Sequence, residues 1–332
     1  MKMIIQLPCF NEGDHLAETI LALPRRIPGI DCIEYLVIDD GSSDNTSQVA
    51  RQLGVHHIVR HRTNRGLAAA FRSGLERALR EGADIIVNTD ADNQYDGRDV
   101  ATIAEPIIRG AADIVVGDRG VRNNRHFGPI KQQLQRLGSA TVQRLSNTQI
   151  PDAVSGFRAI SREAALRINI TSDFSYTTEM LIQAGRKRMA ILSVPIRTNG
   201  TVRPSRLFRS VPHFIVNTLA TMFRAWAMYN PLRAFVSAGF IALLVGLLPL
   251  VRFLFFYFSG DGGGHIQSLI IGAALIILGV IAMMLGALAD LIGRNRNLLE
   301  QTLERVRMLE QSIRDGQAAD KGAAVTSRRQ AG

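Results

Sequence analysis

Three carboxylates are crowded into the segment NTDADNQYDG at residues 88–97: Asp90, Asp92 and Asp96. Like charges this close repel one another and lower stability unless a cation, hydrogen-bond donors or water compensates them. Asp90 and Asp92 follow the apolar run ADIIV, so a loop after a buried strand would present both carboxylates to one hard cation. Mg²⁺ or Mn²⁺ in such a site keeps positions open for water and substrate phosphates. The segment therefore predicts a divalent-cation site that a bound diphosphate would complete.

Two other interpretations of this segment are an EF-hand calcium loop and an ordinary surface turn. An EF-hand beginning at Asp90 would need Gly at the position of Tyr95 and Glu at the position of Ala101. The EF-hand interpretation therefore fails, whereas the surface turn stays open. Asp96 precedes Gly97, as is typical of a turn residue, and we leave it out of the candidate site.

A second acidic pair, Asp39 and Asp40, ends the apolar run IEYLVID within the segment VIDDGSSDNT. Helix capping by Ser43 or Asp44 accounts for the polar residues that follow, but not for the paired carboxylates. A carboxylate beyond a strand end can accept hydrogen bonds from a nucleobase N–H or from ribose hydroxyls. The pair is therefore a candidate nucleoside site.

Several familiar chemical motifs are missing from the sequence. It has no glycine-rich dinucleotide fingerprint, no P-loop and no nucleophile elbow. The histidines of VHHIVRHR lie in a predicted strand, which places neighbours on opposite faces and favours a solvated strand end over a metal site. Only Cys9 and Cys32 are present, which excludes a disulfide framework or zinc cluster and fits a reducing compartment.

The first 200 residues alternate between strand and helix patterns. Strands are predicted at MIIQL, IEYLVID, HHIVR, ADIIVNTD, ADIVVG and ILSVPI, and helices between them at His15–Leu23, Thr46–Leu53, Leu67–Glu81 and Asp99–Arg109. This alternation indicates an α/β fold with a mostly parallel sheet. Ligands of such sheets bind beyond the carboxyl ends of the strands, which is where both acidic pairs stand.

Two long uncharged stretches follow this domain. Ala234–Val251 continues past Arg252 to Phe258, and Ile266–Ala289 is closed by Asp290. Each can cross a hydrocarbon core of about 30 Å, which needs about 20 helical residues. They predict a transmembrane hairpin at residues 232–292, with spans of about 234–258 and 266–290, in preference to a pair of buried helices in a soluble core.

The charge distribution predicts how this hairpin is oriented. Arginines flank both of its ends, whereas the connecting turn SGDGGGH has neither Lys nor Arg. The positive-inside rule therefore predicts a cell-membrane protein with two spans, whose N-terminal domain and both termini are cytoplasmic. The formal charge of +10 favours an anionic partner: nucleic acid, a phosphorylated substrate or an acidic membrane surface.

Three further segments complete the predicted organisation. Residues 205–231 mix arginines with aromatic residues, as is typical of an amphipathic segment at the membrane interface. Residues 293–315 show a helical apolar period and predict a cytoplasmic amphipathic helix, which with the transmembrane helices is a candidate seam for a homo-oligomer. The small and polar composition of residues 316–332 predicts disorder.

Five segments together resemble one protein family. LPCFNE, VIDDGSSDNT, TDADNQ, VVGDR and SGFRAISREA occur in the order and spacing of inverting family 2 glycosyltransferases with the GT-A fold, over about residues 3–206. Within that family the chain is similar to the polyisoprenyl-phosphate branch, the dolichyl-phosphate mannose synthase group, in which a C-terminal transmembrane hairpin is common. The resemblance implies a GT-A domain at residues 1–204. This domain would transfer a sugar from a UDP- or GDP-sugar to undecaprenyl or dolichyl phosphate at the cytoplasmic membrane face, with inversion and without a nucleic-acid partner.

The resemblance also implies roles for individual residues. The nucleoside would be held by Pro8, Phe10, Glu12, Asp39 and Asp40. The cation, Mg²⁺ or Mn²⁺, and the diphosphate would be held by Asp90, Asp92 and Gln94. The acceptor phosphate would be bound by Arg119, Arg136, Ser139, Asp152, Ser155, Arg203, Ser205 and Arg206. The catalytic residues would be Asp92, Arg119 and Arg158.

Two alternative functions stay open at this point. One is a processive polysaccharide synthase, which carries a Q-x-x-R-W segment before its channel helices. The single tryptophan, Trp226, follows FRA with no matching Gln. The other is a non-catalytic membrane scaffold with a nucleotide-binding domain, which loss of the metal-ligand residues would favour; here those residues are present.

Overall fold

The computed structural model describes residues 1–120, 150–170, 176–199, 231–260 and 263–330. Contacts divide the chain into two compact units. The first unit comprises residues 1–208 and 304–332, and the second comprises residues 209–303.

The first unit is built on a seven-stranded mixed sheet with the strand order β3-β2-β1-β4-β6-β5-β7. The strands are β1 (Lys2–Cys9), β2 (Cys32–Asp39), β3 (His57–Arg60), β4 (Ile85–Asn88), β5 (Ile114–Asp118), β6 (Arg158–Ser161) and β7 (Ile191–Pro195). All neighbours are parallel except those of β6, which runs antiparallel to both β4 and β5. The expected α/β fold with a mostly parallel sheet is confirmed.

The sequence pattern predicted every strand of this sheet except β6. The missed strand consists of the four residues RAIS and begins with Arg158, so it shows neither an apolar run nor a clear alternation. Its pairing with two neighbours makes it a strand: Asn88 lies opposite Arg158 on one side, and Val116 lies opposite Arg158 on the other.

Helices cover both faces of the sheet. They are α1 (Leu16–Ala22), α2 (Thr46–Gln52), α3 (Leu67–Arg80), α4 (Asp99–Ile108), α5 (Arg162–Arg167) and α6 (Tyr176–Arg186). Alternate residues of β1 serve two apolar layers: Ile4 packs with α3, α5 and α6, whereas Met3 and Ile5 pack with α1 and α4. A strand that is buried on both faces reads as a continuous apolar run, which is why the pattern MIIQL marked it.

The parallel register brings the candidate site segments to one edge of the sheet. Cys9, the last residue of β1, lies opposite Asp39, the last residue of β2. Gln6 lies opposite Asn88, the last residue of β4. The loops that begin at Phe10, Asp40 and Thr89 therefore leave the sheet at the same edge.

The second unit contains two long apolar helices. Helix α7 spans Pro231–Phe258, a short 3-10 turn spans Gly263–His265, and helix α8 begins at Ile266. Their apolar segments, Pro231–Phe258 and Gly263–Asn295, reach mean hydropathies of 2.4 and 2.8, so both are long and apolar enough to cross a membrane. The predicted spans at 234–258 and 266–290 fall within these two helices.

Helix α8 extends much further than the sequence predicted. It runs from Ile266 to Gln330 as one helix, through the segment at 316–330 for which the composition predicted disorder. Alanine, glutamine and arginine recur in that segment, and all three have high intrinsic helix propensity. The prediction of a disordered tail is therefore corrected for residues 316–330.

Part of α8 belongs to the first unit and contacts α5 and α6. The carboxylate of Glu304 pairs with Lys187 Nζ at 2.8 Å and with Arg167 Nε at 3.0 Å. One turn later, Arg307 donates to the carbonyl oxygen of Ile168 at 3.1 Å. The apolar residues predicted as an oligomer seam, such as Leu299, are exposed, and that seam stays a prediction.

Glycines at seven-residue spacing bring α7 and α8 into close backbone contact. A Cβ added to Gly239 would lie 2.5 Å from the carbonyl oxygen of Gly279, and one added to Gly272 would lie 2.9 Å from that of Gly246. Seven residues further along α8, a Cβ on Gly286 would lie 2.8 Å from Cβ of Phe235. Small residues allow this kind of close approach between helices in membranes, where no hydrophobic force drives association.

A larger side chain at this seam should weaken the hairpin. We expect Gly279→Leu to destabilise helix packing by about 1–3 kcal/mol, because the added atoms overlap the backbone of α7. The measurement is resistance of the hairpin to proteolysis during an SDS titration of the full chain in detergent micelles. Gly293→Leu is the matched control, because a Cβ there meets no described atom within 4 Å. Equal losses in both variants would contradict the packing role of the glycine seam.

Candidate active site

Asp90 and Asp92 lie in the loop after β4, where two negative charges meet with too little compensation. Asp90 is partly buried and Asp92 is exposed. Burial and the charge of Asp92 raise the pKa of Asp90 to about 6, against the opposing influence of Arg119 and of the Tyr95 hydroxyl. A divalent cation beside the pair would supply the missing positive charge.

The chemistry of these side chains fits a cation that shares its ligands with a substrate. Among the described residues, no group of three His, Cys, Asp or Glu side chains is placed to hold a metal ion. Asp90 and Asp92 can thus supply only part of a coordination sphere, which suits Mg²⁺ or Mn²⁺ bound together with phosphate oxygens. Asp92 Oδ1 also accepts the N–H of Gln94 at 3.1 Å, which shapes the loop.

The carboxylate of Asp90 packs against a glycine in the loop before β6. A Cβ added to Gly156 would lie 2.9 Å and 3.1 Å from the two oxygens of Asp90. The Gly156 N–H donates to the hydroxyl oxygen of Tyr95 at 3.2 Å, and its carbonyl accepts from Asn88 Nδ2 at 2.8 Å. The absence of a side chain at residue 156 therefore makes room for Asp90.

Arg119 supplies a fixed positive charge at the same edge of the sheet. It follows β5 and donates to Asp152 through two bonds, Nε to Oδ2 at 2.7 Å and Nη2 to Oδ1 at 2.9 Å. Burial alone would lower the pKa of Arg119, but the bond with Asp152 and the charge of Asp90 raise it above its ordinary value. The bidentate pairing fixes the plane of the guanidinium group.

Asp152 was expected to line the acceptor-phosphate site, and the structure shows what it contacts. It is 2 % exposed, and both of its carboxylate oxygens accept from Arg119. Asp152 therefore orients Arg119, and its predicted contact with an acceptor stays a prediction.

Arg158, predicted to be catalytic, is completely buried and donates to three carbonyl oxygens, those of Ser155 at 2.8 Å, Thr177 at 2.7 Å and Ala153 at 2.7 Å. Burial lowers the pKa of Arg158 to about 10, so it stays protonated at neutral pH. Arg158 holds the loop that carries Asp152 and Gly156. Ser155, predicted at the acceptor phosphate, is also fully buried, and its hydroxyl has no hydrogen-bond partner among the described residues. The predicted roles of both residues stay predictions.

Asp39 is placed at the predicted edge but is engaged by its own loop. It is fully buried and accepts the N–H of Ser42 at 2.8 Å and the hydroxyl of Ser47. Arg60 Nε lies 3.4 Å from Oδ2 of the Asp39 carboxylate. In this structure Asp39 joins the turn after β2 to helix α2, and its predicted contact with a nucleoside stays a prediction.

Asp40 holds a second loop beside that turn. Its two oxygens accept the N–H groups of Arg65 at 2.9 Å and Gly66 at 2.8 Å, and one of them contacts His61 Nδ1 at 2.6 Å. His61 Nε2 lies 2.9 Å from the hydroxyl of Ser73. His61 is buried, so the expectation of a solvated histidine is wrong for this residue. These contacts show that Asp40 holds this loop, and its predicted contact with a nucleoside stays a prediction.

The segment after β1 offers an aromatic surface at the same edge. Pro8 is buried inside the strand, whereas Phe10 is 38 % exposed directly after it. The N–H of Glu12 donates to Thr46 Oγ1 at 3.0 Å, which ties this segment to helix α2. Of Pro8, Phe10 and Glu12, Phe10 is therefore the residue best placed to stack its ring on a flat ligand.

The remaining predicted residues lie outside the described residues: Arg136, Ser139, Arg203, Ser205 and Arg206. The chain just before residue 200 is bound to the candidate cation loop. Asn199 N–H donates to the Gln94 carbonyl at 2.9 Å, and Asn199 Nδ2 donates to the Asn93 carbonyl at 2.9 Å. Arg197 pairs with Asp99 at 2.6 Å.

Sequence reasoning missed four residues that shape this site: Asn88, Tyr95, Gly156 and His61. Asn88 had a usable signal, because it is the one polar residue in the strand IIVN and is fully buried there. A buried amide must have hydrogen-bond partners, which points to a role beside the acidic loop. Tyr95 and Gly156 had no comparable signal, because their importance lies in a contact across 61 residues of sequence.

Comparison with known proteins gives a consistent assignment. The sequence model of glycosyl transferase family 2 matches residues 4–168. The chain is 30 % identical over 217 residues to a UDP-N-acetylglucosamine–dolichyl-phosphate N-acetylglucosaminyltransferase of Methanococcus voltae, covering 58 % of this chain and 83 % of that protein. It is 26 % identical over 206 residues to a polyprenol monophosphomannose synthase of Mycolicibacterium smegmatis, covering 59 % and 76 % of the two chains.

A solved structure shares the fold of the first unit. The glucosyl-3-phosphoglycerate synthase of Mycobacterium tuberculosis, solved with Mn²⁺, uridine diphosphate and phosphoglyceric acid, has a TM-score of 0.51 and 20 % identity. The alignment covers 67 % of this chain and 78 % of that protein. The predicted GT-A type of fold is thereby confirmed.

The raised pKa of Asp90 predicts that, in chelator, Asp90→Asn and the unaltered chain differ in stability by an amount that depends on pH. The folded-state pKa of Asp90, about 6, lies above the ordinary value of 3.8. The stability that protonation of Asp90 provides is therefore fully present below pH 3.8 and is lost as the pH rises through 6. We expect Asp90→Asn to raise the free energy of unfolding at pH 7.5 by about 1–2 kcal/mol, allowing for solvent screening, and by less at pH 5.

Urea unfolding of the full chain in detergent micelles with chelator measures this difference. Glu76→Gln, a change at an exposed carboxylate on α3, is the control and should show no gain at either pH. A gain from Asp90→Asn that is as large at pH 5 as at pH 7.5 would show that charge on Asp90 is not its cause.

Proposed function

Because the chain belongs to glycosyl transferase family 2, and within it to the polyprenyl-phosphate glycosyltransferase group, we propose that it makes a lipid-linked monosaccharide. It transfers a sugar from a UDP- or GDP-sugar to undecaprenyl or dolichyl phosphate, with inversion at the anomeric carbon. The observation that carries this proposal is the pairing of a cation-deficient acidic loop, Asp90 and Asp92, with a guanidinium fixed beside it, Arg119. A donor diphosphate needs the cation that the acidic loop would bind, and an acceptor phosphate needs the guanidinium group.

The donor side of the proposal rests on the loop after β4. Asp90 and Asp92, with Gln94 beside them, would hold Mg²⁺ or Mn²⁺ together with the donor diphosphate. When bound, the cation neutralises charge that develops on the leaving diphosphate. The mycobacterial synthase of the same fold was solved with Mn²⁺ and uridine diphosphate, which is consistent with this assignment. Phe10 is placed to stack on the base of the donor nucleotide. A comparison of UDP- with GDP-sugars as donors identifies that base.

The acceptor side rests on Arg119. A phosphate monoester has a second pKa of about 6 and is mostly dianionic at pH 7, so it attacks without a general base. The task of the protein is then to place an anionic nucleophile and to offset its charge. The Arg119 guanidinium suits this task because its planar fork matches phosphate oxygens, and Asp152 holds that fork in one orientation.

The membrane location is part of the same proposal. A polyprenyl phosphate presents its anionic headgroup at the membrane surface, so the enzyme would work there, and we place it at the cytoplasmic leaflet. Helices α7 and α8 would form two spans, with the first unit and both termini cytoplasmic, as the flanking arginines indicate. Two relatives are named for transfer to dolichyl phosphate or for mannosylation of a polyprenol phosphate, which supports this class of acceptor. A homo-oligomer through these helices is a further element of the proposal.

A panel of labelled sugar nucleotides tests the reaction. Membranes that contain the full chain are incubated with UDP- and GDP-sugars and with undecaprenyl or dolichyl phosphate, and label is counted in the lipid fraction. We expect one sugar to move to lipid, excess chelator to abolish transfer, and Asp92→Asn to lower the rate at least about 100-fold, because the interaction is made at the leaving group. Glu76→Gln is the matched control for loss of an exposed carboxylate.

Several outcomes would overturn the proposal. Full activity of Asp92→Asn, or full activity in excess chelator, would exclude the proposed cation site. A polymer in place of a monosaccharide product would favour the processive synthase. Neither transfer nor hydrolysis of any sugar nucleotide would favour the non-catalytic scaffold.

The proposed orientation predicts where a native thiol can be labelled. Cys32 is exposed on the first unit, whereas Cys9 is buried. A membrane-impermeant maleimide should therefore label Cys32 in inside-out vesicles and leave it unlabelled in right-side-out vesicles. The variant Cys32→Ser should lose the label in both preparations. Labelling in intact right-side-out vesicles would place the first unit on the opposite side of the membrane.

A further inference from the structure

We propose that Tyr95 is a positioning residue that holds the cation ligand Asp90 in register with the acceptor-side loop at residues 152–156. This inference rests on the proposed function, because it assigns Asp90 to the cation. It adds a residue that the pattern of acidic side chains does not reveal.

The hydroxyl of Tyr95 lies between the two parts of the site. Its oxygen accepts the N–H of Gly156 at 3.2 Å, and a Cβ added to Gly156 would lie 2.9 Å and 3.1 Å from the two oxygens of Asp90. Tyr95 is only 4 % exposed, so water does not readily replace its bond with Gly156. One phenol oxygen thus connects the loop after β4 to the loop before β6.

Both the ring and the backbone of Tyr95 are held in place. The ring stacks on Phe157, with centroids 5.0 Å apart and planes inclined by 13°. The backbone forms an antiparallel bridge with Thr198, next to the bond that Asn199 makes to the Gln94 carbonyl. The hydroxyl therefore has a defined position from which to hold Gly156 against the carboxylate of Asp90.

The acceptor-side loop is held equally firmly on its other side. The Gly156 carbonyl accepts from Asn88, and Arg158 donates to the carbonyls of Ala153 and Ser155. Asp152, at the start of this loop, orients Arg119. Tyr95 thus holds a loop whose Gly156 packs against Asp90 and whose Asp152 positions the guanidinium group.

Removing the Tyr95 hydroxyl should weaken binding of the cation. In Tyr95→Phe, the buried Gly156 N–H loses its acceptor, so the glycine that packs against Asp90 is no longer held. Loss of a contact that positions a metal ligand from outside the ligand shell changes metal affinity or activity by about 10–100-fold. Packing of the ring on Phe157 is retained, because phenylalanine keeps the same shape.

The test measures binding of Mn²⁺ alone to the full chain in detergent micelles, from the electron paramagnetic resonance signal of the free ion. We expect Tyr95→Phe to bind Mn²⁺ at least about 10-fold more weakly than the unaltered chain. Gly156→Ala should also weaken binding, because its methyl group would lie 2.9 Å from an oxygen of Asp90. Thermal unfolding of each variant is recorded in parallel.

Tyr35→Phe is the matched control. Tyr35 is 9 % exposed and packs against the ring of His56 with centroids 5.6 Å apart, so loss of its hydroxyl removes a comparable buried group. That hydroxyl donates to the carbonyl oxygen of Pro24 at 3.2 Å, outside the loops that carry Asp90 and Gly156. We expect this variant to keep its Mn²⁺ affinity even where its melting temperature falls.

The outcomes separate this inference from the proposed function. Unchanged Mn²⁺ affinity in Tyr95→Phe, or equal weakening in both tyrosine variants, overturns the positioning role even if sugar transfer to lipid is confirmed. Weakened binding in Tyr95→Phe alone supports the role. If Mn²⁺ binding depends on Tyr95 and Asp92 while no lipid is glycosylated, the proposed reaction fails and the positioning role stands.

Discussion

The site depends on one topological constraint, the insertion of antiparallel β6 between β4 and β5. This pairing places Arg158 opposite Asn88, at the end of the strand that carries the acidic loop. The residues before β6 are thereby forced to the carboxyl edge of the sheet, where Gly156 meets Asp90. Parallel strands alone would bring the donor-side loops together, but they would leave this edge without an acceptor-side loop.

Burial of charge near that edge is resolved in three different ways. Arg119 and Asp152 neutralise one another through two hydrogen bonds, and Arg158 is solvated by three carbonyl oxygens in place of a carboxylate. Removing one partner from such an arrangement is costly, because an uncompensated charge would stay buried. Asp90 differs from both, since burial and the charge of Asp92 together outweigh the positive charge of Arg119 and raise the pKa of its carboxyl group to about 6. That imbalance is the physical reason for assigning the cation here and not to Asp96, which Arg98 neutralises.

The second unit follows a different physical rule from the first. In the sheet, apolar side chains are removed from water, and alternate residues of a strand serve opposite layers. In α7 and α8 most large apolar side chains stay exposed, and the helices meet through glycines such as Gly239 and Gly279. Exposed apolar surface of this extent is expected where lipid replaces water around the helices. The two units of the chain thus differ in what stabilises them: removal of apolar side chains from water in the first, and close packing between helices in the second.

The sequence by itself determined the order of elements, the sheet type, the two apolar helices and the positions of the acidic loops. These features follow from local periodicity and from the polar residues that close each strand, so no distant contact is needed to predict them. It also determined the chemistry of Asp90 and Asp92, because their spacing alone demands compensation. The helical state of residues 316–330 was missed, because composition is a weak guide to whether one helix continues into the next segment.

Only the tertiary structure decided which of the candidate residues face the site. Asp152, Ser155 and Arg158 stand in a motif with Gly156, yet all three side chains are buried while the glycine touches Asp90. Tyr95 entered the site through a bond to a residue 61 positions away. Burial and orientation depend on contacts between distant segments, and local sequence carries no information about which side of a loop a given side chain will occupy.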